Sequence, residues 1–159
     1  MKSRQEIKQK IIAGRQTRTV YRYKTHYRKY WNHCDTKHSP VMAMPINQHI
    51  NIVNNFFPRY IIGSKVLKKS MWIDYNILPG ISANKFEHTE EFIKKIKNFC
   101  INNINKTKPY AHFDWHLGNI IINGDDMYLI DWDNIREYTD TEIDERFELC
   151  MKRNFGDKY

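Results

Sequence analysis

The chain has 159 residues, of which 41% are apolar and 14% aromatic, so it can bury the core of one domain or of two small lobes. This composition excludes an intrinsically disordered chain, and no apolar run approaches the roughly 20 residues that a membrane span needs. The net charge of +8 is uneven, because residues 1–40 carry eleven Lys and Arg against two acids, whereas residues 111–159 carry five against twelve. A basic front and an acidic back predict one region that holds an anion and another that holds a cation.

The N-terminal residues lead into no apolar stretch, so we expect no signal peptide. Three cysteines (Cys34, Cys100 and Cys150) form no C-x-x-C pair, and their odd number argues against a disulfide framework. We therefore expect a soluble, cytoplasmic protein with reduced thiols.

The first half of the chain is predicted to form strands around one helix. Gln16–Lys24 alternates and is rich in Thr, Val and Tyr, which favours a strand, and Lys8–Gly14 before it would complete a hairpin. Pro45–Phe57 has apolar residues at helical spacing, and Pro58 ends that helix. Two short strands follow, with a turn at Gly63-Ser64 between them: Tyr60–Ile62 and Ser70–Tyr75.

The second half is predicted to contain two helices on either side of a β-hairpin. Thr89–Asn103 is the clearest helix, with Thr89 as its N-cap, and Thr141–Asn154 is the last. Between them, Ile120–Ile122 and Met127–Trp132 form a hairpin with a turn at Asn123-Gly124. This order of elements predicts an α+β fold rather than alternating βαβ units.

Two polar stretches flank the predicted hairpin. The stretch HFDWHLGN (112–119) precedes it, and LIDWD (129–133) closes it, so pairing of the two strands would bring Asn119 close to Asp131. Phosphoryl transfer needs such a cluster, with one carboxylate to orient or deprotonate the attacking hydroxyl and oxygen ligands for Mg²⁺. Taken alone, His112 is also typical of a histidine buried in a core.

Together, the two stretches resemble the catalytic loop H-x-D-x-x-x-x-N and the metal-binding motif of the kinase superfold. The resemblance is to its small-molecule branch, the aminoglycoside phosphotransferases and choline kinases. It implies a two-lobed protein-kinase-like fold, with a reduced N-lobe sheet in residues 1–75 and a truncated helical C-lobe in residues 76–159. It also implies ATP and Mg²⁺ as cofactors, Asp114 as the catalytic base and His112 as a support of the catalytic loop. The metal ligands implied in the same way are Asn119, Asp131 and Asp133.

Further upstream, MWIDYNILPG (71–80) resembles the hinge that links the two lobes of a kinase. The resemblance implies that the backbone of Tyr75, Asn76 and Ile77 binds adenine, although a simple strand and turn explains the segment nearly as well. Lys24 is the candidate for the lysine on the phosphates, and an exposed strand lysine is the alternative reading.

The sequence departs from the kinase pattern on both sides of the motifs. No Glu lies between Glu6 and Glu87, so the usual Lys–Glu pair cannot form from a helix in that interval, and Gln48 is a neutral substitute. No G-x-G-x-x-G occurs, and a turn with Arg15 or Arg18 would take its place. Room for a single helix follows Asp133, which leaves the substrate class open and leaves room for a homodimer that completes the pocket.

The sequence thus supports an ATP- and Mg²⁺-dependent phosphotransferase that acts on a hydroxyl of a small molecule. Acids in residues 140–148 favour a cationic acceptor, although a solvated helix face is the commoner explanation of such acids. One alternative is a degenerate kinase that binds a nucleotide or a partner without turnover. Another is a binder of single-stranded nucleic acid through the Arg, Lys and Tyr residues of 15–31, against which the acidic second half argues.

Overall fold

The computed structural model describes residues 9–11, 18–32, 44–112 and 114–159. The chain divides into two compact units, one that ends at Ile77 and one that begins at Leu78. The described residues form small antiparallel sheets and three α-helices, which confirms the predicted mixture of strands and helices. The two-lobed arrangement and the lobe boundary after residue 75 stay predictions. Among the described helices, none is long and apolar enough to cross a membrane.

The first unit is built on a five-stranded antiparallel sheet. Its strands are β1 (Gln9–Ile11), β2 (Arg18–Arg22), β3 (His26–Asn32), β4 (Ile61–Val66) and β5 (Ser70–Asn76). Their spatial order is β1-β2-β3-β5-β4. The predicted hairpin of β1 and β2 forms, with its turn outside the described residues, whereas β3 has no counterpart in the sequence-based prediction. Helix α1 (Ile46–Phe56) lies between β3 and β4 in the chain, as predicted, and buries His49 and Val53.

The predicted turn at Gly63-Ser64 is wrong, because β4 continues through both residues. The pairing of β4 with β5 shifts its register between Ile61 and Gly63, so the glycine marks a β-bulge. The chain reverses after β4 instead, where the Leu67 N–H donates to the Ser70 carbonyl at 2.7 Å. Glycine is favoured both in turns and at bulges, and the sequence pattern alone does not separate the two.

Side chains of β3 alternate between the two faces of the sheet, and this divides its run of basic and aromatic residues. Lys29 and Trp31 are buried, at 7% and 1% exposed. Arg28 lies on the opposite face, where its guanidinium pairs with both oxygens of Asp74 at 2.6 and 2.7 Å. The residues that indicate a nucleic-acid surface in the sequence therefore do not share one face.

The second unit contains two helices and two small sheets. Its elements are β6 (Ile81–Ser82), α2 (Glu90–Thr107), β7 (Tyr110–His112), β8 (Ile120–Asn123), β9 (Asp126–Leu129), β10 (Ile135–Glu137) and α3 (Asp140–Phe155). Strands β8 and β9 form the predicted hairpin, β6 pairs with β8, and β7 pairs with β10. Both predicted helices are confirmed. Thr89 caps α2, and Thr139 with Glu142 forms a capping box on α3.

The core of the second unit lies along the inner faces of α2 and α3. Residues spaced three and four apart on each helix are buried: Ile93, Ile96, Cys100 and Ile104 on α2, and Ile143, Phe147, Cys150, Met151 and Phe155 on α3. Burial raises the pKa of the Cys100 and Cys150 thiols, so both remain protonated at neutral pH.

Candidate active site

The stretch that resembles a catalytic loop connects β7 to β8. Residues 114–116 have no regular secondary structure, and Leu117–Asn119 forms a single 3-10 turn that leads into β8. Two apolar side chains anchor the loop: Trp115 and Leu117 are 2% and 6% exposed, and the Trp115 ring packs edge-on against Phe147 of α3 at 6.1 Å. Because its neighbour is anchored in the core, Asp114 is held at the surface with its side chain 28% exposed.

His112 connects the two motifs. Its ring is buried, and its Nδ1 accepts a hydrogen bond from the Asp114 N–H at 3.0 Å. Since Nδ1 accepts, the proton lies on Nε2, which donates to the Ile130 carbonyl at 3.2 Å. The ring also packs edge-on against Trp132 at 5.2 Å. The His112 imidazole thus hydrogen-bonds to the backbone of Asp114, the candidate base, and to the backbone of Ile130, which directly precedes Asp131.

The protonation state of His112 follows from its burial. Desolvation lowers the pKa of its imidazole, although the charges of Asp131 and Asp114 act in the opposite direction. The ring is therefore neutral near pH 7, which is the form that the two hydrogen bonds require. Both carboxylates lie close enough to His112 to affect its titration.

Asn119 ties the loop to itself and to the hairpin. Its side chain is buried, and its Nδ2 donates to the Asp114 carbonyl at 2.9 Å and lies 3.5 Å from Asp114 Oδ2. Its own carbonyl accepts from the Ile130 N–H at 2.8 Å. The hairpin therefore places Asn119 beside the residue that precedes Asp131. With Nδ2 directed to the loop, the amide oxygen Oδ1 is turned the other way.

Asp131 lies at a sharp change of chain direction. The sequence predicts that the second strand of the hairpin continues to Trp132, but β9 ends at Leu129. The strand cannot continue because Asp131 adopts φ 62° and ψ 54°, in the left-handed region. A non-glycine residue in this region costs on the order of 1 kcal/mol, so the surrounding structure has to hold it there. The Trp132 indole, 1% exposed, donates to the Leu129 carbonyl at 2.7 Å and closes the turn, and Asp133 behind it is also buried.

Two residues outside the loop hold it in place, and neither is among the candidates that the sequence motifs indicate. Asn154 of α3 accepts from the Leu117 N–H at 3.2 Å through Oδ1, while its Nδ2 donates to the carbonyls of Trp115 and Cys150. Ser82 Oγ donates to the Leu117 carbonyl at 3.1 Å. Asn154 has a signal in the sequence, since it follows Phe147 and Cys150 at helical spacing and so lies on the apolar face.

The predicted nucleotide-binding residues lie in the first unit. Tyr75 and Asn76 end β5, with Ile77 next in the chain, and the Asn76 N–H donates to the Tyr60 carbonyl at 2.9 Å. Lys24 is exposed in the turn between β2 and β3, whereas Lys29 is buried on β3, opposite Ile73 of β5.

In the second unit, the structure brings His112, Asp114, Asn119 and residues 130–133 together.

The donor set at the motifs fits a hard cation. Within the described ranges, no three His, Cys, Asp or Glu side chains cluster in a way that could hold a metal. The candidate ligands instead combine the amide oxygen of Asn119 with the carboxylates of Asp131 and Asp133. Oxygen ligands of this kind are the ones that Mg²⁺ prefers.

No family model matches the sequence, and no curated protein matches it. Solved structures of kinases do resemble its fold. A crystal structure of WbdD superposes with a TM-score of 0.60 at 14% identity, over 94% of this chain and 38% of that chain. Another WbdD structure, described as a bifunctional kinase-methyltransferase, gives 0.54 at 15% identity, over 86% and 34%. The autoinhibited serine kinase domain of the giant muscle protein titin gives 0.59 at 16%, over 84% and 46%.

These likenesses establish a kinase-like fold. The chain spans about a third to under a half of the length of the structures that it resembles. The small-molecule branch of the superfold is not supported by them.

Proposed function

We propose that the chain is a kinase-like phosphotransferase that moves the γ-phosphate of ATP to a hydroxyl group of a small-molecule acceptor. One observation carries this proposal: the buried His112 hydrogen-bonds both to the Asp114 amide and to the carbonyl before Asp131. A histidine that served only the core would not need to join these two carboxylate-bearing segments. The kinase-like fold supports the same reaction class.

Asp114 is the proposed base, because it is the carboxylate of the loop that remains open to solvent. It would orient the acceptor hydroxyl and take its proton as the phosphoryl group is transferred. Asn119, Asp131 and Asp133 would hold Mg²⁺, which when bound neutralises the charge on the phosphates. The hydrogen bond from Asn119 Nδ2 to the Asp114 carbonyl fixes the spacing between the base and the metal ligands.

For the nucleotide we propose Tyr75, Asn76 and Ile77 at the end of β5 as the adenine-binding backbone. Lys29 is a better candidate than Lys24 for the lysine that binds the phosphates. Lys29 lies in the middle of the sheet and is 7% exposed, with its Nζ 5.6 Å from the centroid of the Trp31 ring, whereas Lys24 lies in an exposed turn. A desolvated cation interacts more strongly with phosphate than a solvated one does.

The alternative is a kinase-like protein that binds nucleotide without turnover. It is favoured by the composition of α1, which has the sequence INQHINIVNNF and contains no acidic residue. A Lys–Glu ion pair between β3 and α1 therefore cannot form, and such a pair supports the active state of protein kinases.

Two measurements test the proposal, of which the first reports what both candidate functions share and the second separates them. Stabilisation of the purified chain by Mg²⁺-ATP, measured by thermal shift, is expected under both readings and reports nucleotide binding. Transfer of radiolabelled γ-phosphate to a panel of hydroxyl compounds is expected for the phosphotransferase alone, and Asp114→Ala should lower its rate by about 10²–10⁴-fold. Transfer at the wild-type rate in Asp114→Ala would refute the proposed base.

A further inference from the structure

The candidate base has a cation beside it that does not come from its own loop. The loop from Asp114 to Asn119 reads DWHLGN and contains no Lys or Arg. Arg153, in the last turn of α3, supplies the charge, with its Nη1 3.9 Å from Asp114 Oδ1. Helix α3 therefore contributes to the candidate active site as well as to the core.

Neighbouring hydrogen bonds hold the backbone near Arg153 to the loop, while its side chain is largely exposed. The next residue, Asn154, hydrogen-bonds to the loop at Trp115 and at Leu117. The Arg153 side chain itself is 63% exposed. The guanidinium can therefore change its partner without any movement of the helix.

The pair of Arg153 with Asp114 is open, as a second arginine in the same chain shows by contrast. Arg28 holds Asp74 through two hydrogen bonds of 2.6 and 2.7 Å, and the Asp74 side chain is 10% exposed. At 3.9 Å, the Arg153 contact is longer than a charge-assisted hydrogen bond, and the Asp114 side chain is 28% exposed. An open, solvated pair of this kind is weak, so an incoming anion can take Arg153 from Asp114.

Three of the five acidic residues of α3, which together favour a cationic acceptor in the sequence, are engaged in other contacts. Asp140 pairs with Lys108 at 2.8 Å, Glu142 caps the helix, and Glu148 accepts from the Tyr159 hydroxyl at 2.8 Å. The charged residue of α3 that contacts Asp114 is a cation.

We propose that Arg153 binds an anionic group of the acceptor, a phosphate or a carboxylate carried within a few bonds of the reacting hydroxyl. The two oxygens of Asp114 indicate the acceptor side. Oδ2 lies toward Asn119, where the metal and the nucleotide phosphates are expected, and Oδ1 lies toward Arg153. The inference rests on the proposed phosphotransfer, and it replaces a cationic acceptor with a compact anionic one.

A binding experiment without nucleotide or metal tests the anion site by itself. The probes are glycerol 3-phosphate, glycerate, glycerol and choline, and their affinities are measured by calorimetry or by NMR titration. The wild-type chain is expected to bind the two anions in preference to glycerol and choline. Arg153→Gln should weaken anion binding about tenfold or more, because a hydrogen-bonded charge is lost. Asp114→Asn should strengthen it, because the competing carboxylate is removed.

Lys152→Gln is the matched control, since Lys152 is an exposed cation that directly precedes Arg153 in the chain. This substitution should change the anion affinity by less than about twofold. Equal anion affinities of the wild type and Arg153→Gln would overturn the proposal, and so would preferential binding of choline. A preference for glycerol 3-phosphate over glycerate, or the reverse, identifies which anion the site takes.

A transfer experiment with Mg²⁺-ATP tests the role of the site in acceptor selection. The wild type should phosphorylate the anionic glycerol compounds with a kcat/KM about tenfold or more above that for glycerol. Arg153→Gln should abolish this preference by raising the acceptor KM while the KM for ATP stays unchanged. A raised KM for ATP with an unchanged acceptor preference would assign Arg153 to the nucleotide and overturn the proposal.

The two experiments separate the failure of this inference from the failure of the proposed function. Arg153-dependent anion binding without transfer to any acceptor would refute the phosphotransferase and retain the anion site. Transfer that prefers neutral or cationic acceptors would retain the phosphotransferase and refute the anion site.

Discussion

The two units of the chain differ in charge and in how their candidate residues are assembled. Residues 1–77 carry fifteen Lys and Arg against three acids, whereas residues 78–159 carry eleven against fifteen. In the second unit, the candidate base and metal ligands come from one loop and the hairpin that follows it. In the first unit, the candidates Lys29 and Tyr75 lie on different strands of one sheet. Candidate functional residues that lie in one short segment can be recognised in the sequence by a motif, whereas candidates that lie on different strands of a sheet cannot.

The largest expected effect tests the second unit. Asp114→Ala should lower the rate of phosphate transfer by about 10²–10⁴-fold, because the acceptor hydroxyl loses its base. Stabilisation by ATP in a thermal shift should remain, since the nucleotide residues are untouched. Asp125→Ala is the matched control, because Asp125 lies exposed in the turn between β8 and β9 and should retain wild-type activity. A comparable loss in both variants would contradict a specific role for Asp114.

A comparison of two lysines sharpens the assignment in the first unit. Lys29→Met should lower kcat/KM by about 10²-fold if the ammonium of the buried Lys29 binds the phosphates. Lys24→Met should change kcat/KM by less than about twofold, because Lys24 is exposed in a turn. Steady-state kinetics with varied ATP measure both. The opposite order of the two effects would return the role to Lys24.

A substitution at Asn154 tests whether α3 positions the candidate catalytic loop. Asn154→Ala removes three hydrogen bonds and leaves the Leu117 amide and the Trp115 carbonyl to find other partners. We expect a loss of about 1–3 kcal/mol in the free energy of unfolding, measured by urea denaturation. The kcat should fall while the KM for ATP is preserved. Asn102→Ala, an exposed asparagine on α2, should leave both quantities unchanged.

The smallest effect is a dependence of stability on pH. Burial lowers the folded-state pKa of His112 from its usual 6.5, so the unfolded chain binds a proton more readily than the folded one. The stability that the neutral His112 provides is complete above pH 6.5 and is lost as the pH falls toward the folded-state pKa. The slope from this one group is at most about 1.4 kcal/mol per pH unit.

Urea denaturation of the wild type and His112→Gln at several pH values measures this contribution. The variant should be less stable at neutral pH and should show a shallower slope below pH 6.5. Parallel curves for the two chains would contradict a buried neutral imidazole.

The sequence predicts the parts of the molecule whose interactions are local. The helices α2 and α3 and the hairpin of β8 and β9 follow from apolar periodicity, capping residues and a glycine turn, and all three form. The contact between Asn119 and the segment before Asp131 follows from that hairpin. His112 hydrogen-bonds to the Asp114 N–H two residues away, and its second bond, to the Ile130 carbonyl, lies beyond any local pattern.

The remaining features depend on contacts between distant segments. Strand β3 has basic and aromatic residues at nearly every position, so it lacks the alternation that marks a half-buried strand, and the sequence does not distinguish the buried Lys29 from its less buried neighbours. The end of β9 at Leu129 depends on the left-handed conformation of Asp131, and the Trp132 indole that closes this turn is not visible in a propensity. The roles of Asn154 and Arg153 require the packing of α3 against the loop.

Binding of Mn²⁺ in place of Mg²⁺, followed by electron paramagnetic resonance, tests the central claim most directly. The claim is that Asn119 and Asp131 hold one metal ion beside Asp114. We predict that ATP creates a Mn²⁺ site in the wild-type chain and that Asn119→Ala and Asp131→Asn each weaken it about tenfold or more. A nucleotide-dependent Mn²⁺ affinity that is the same in all three proteins would contradict the claim.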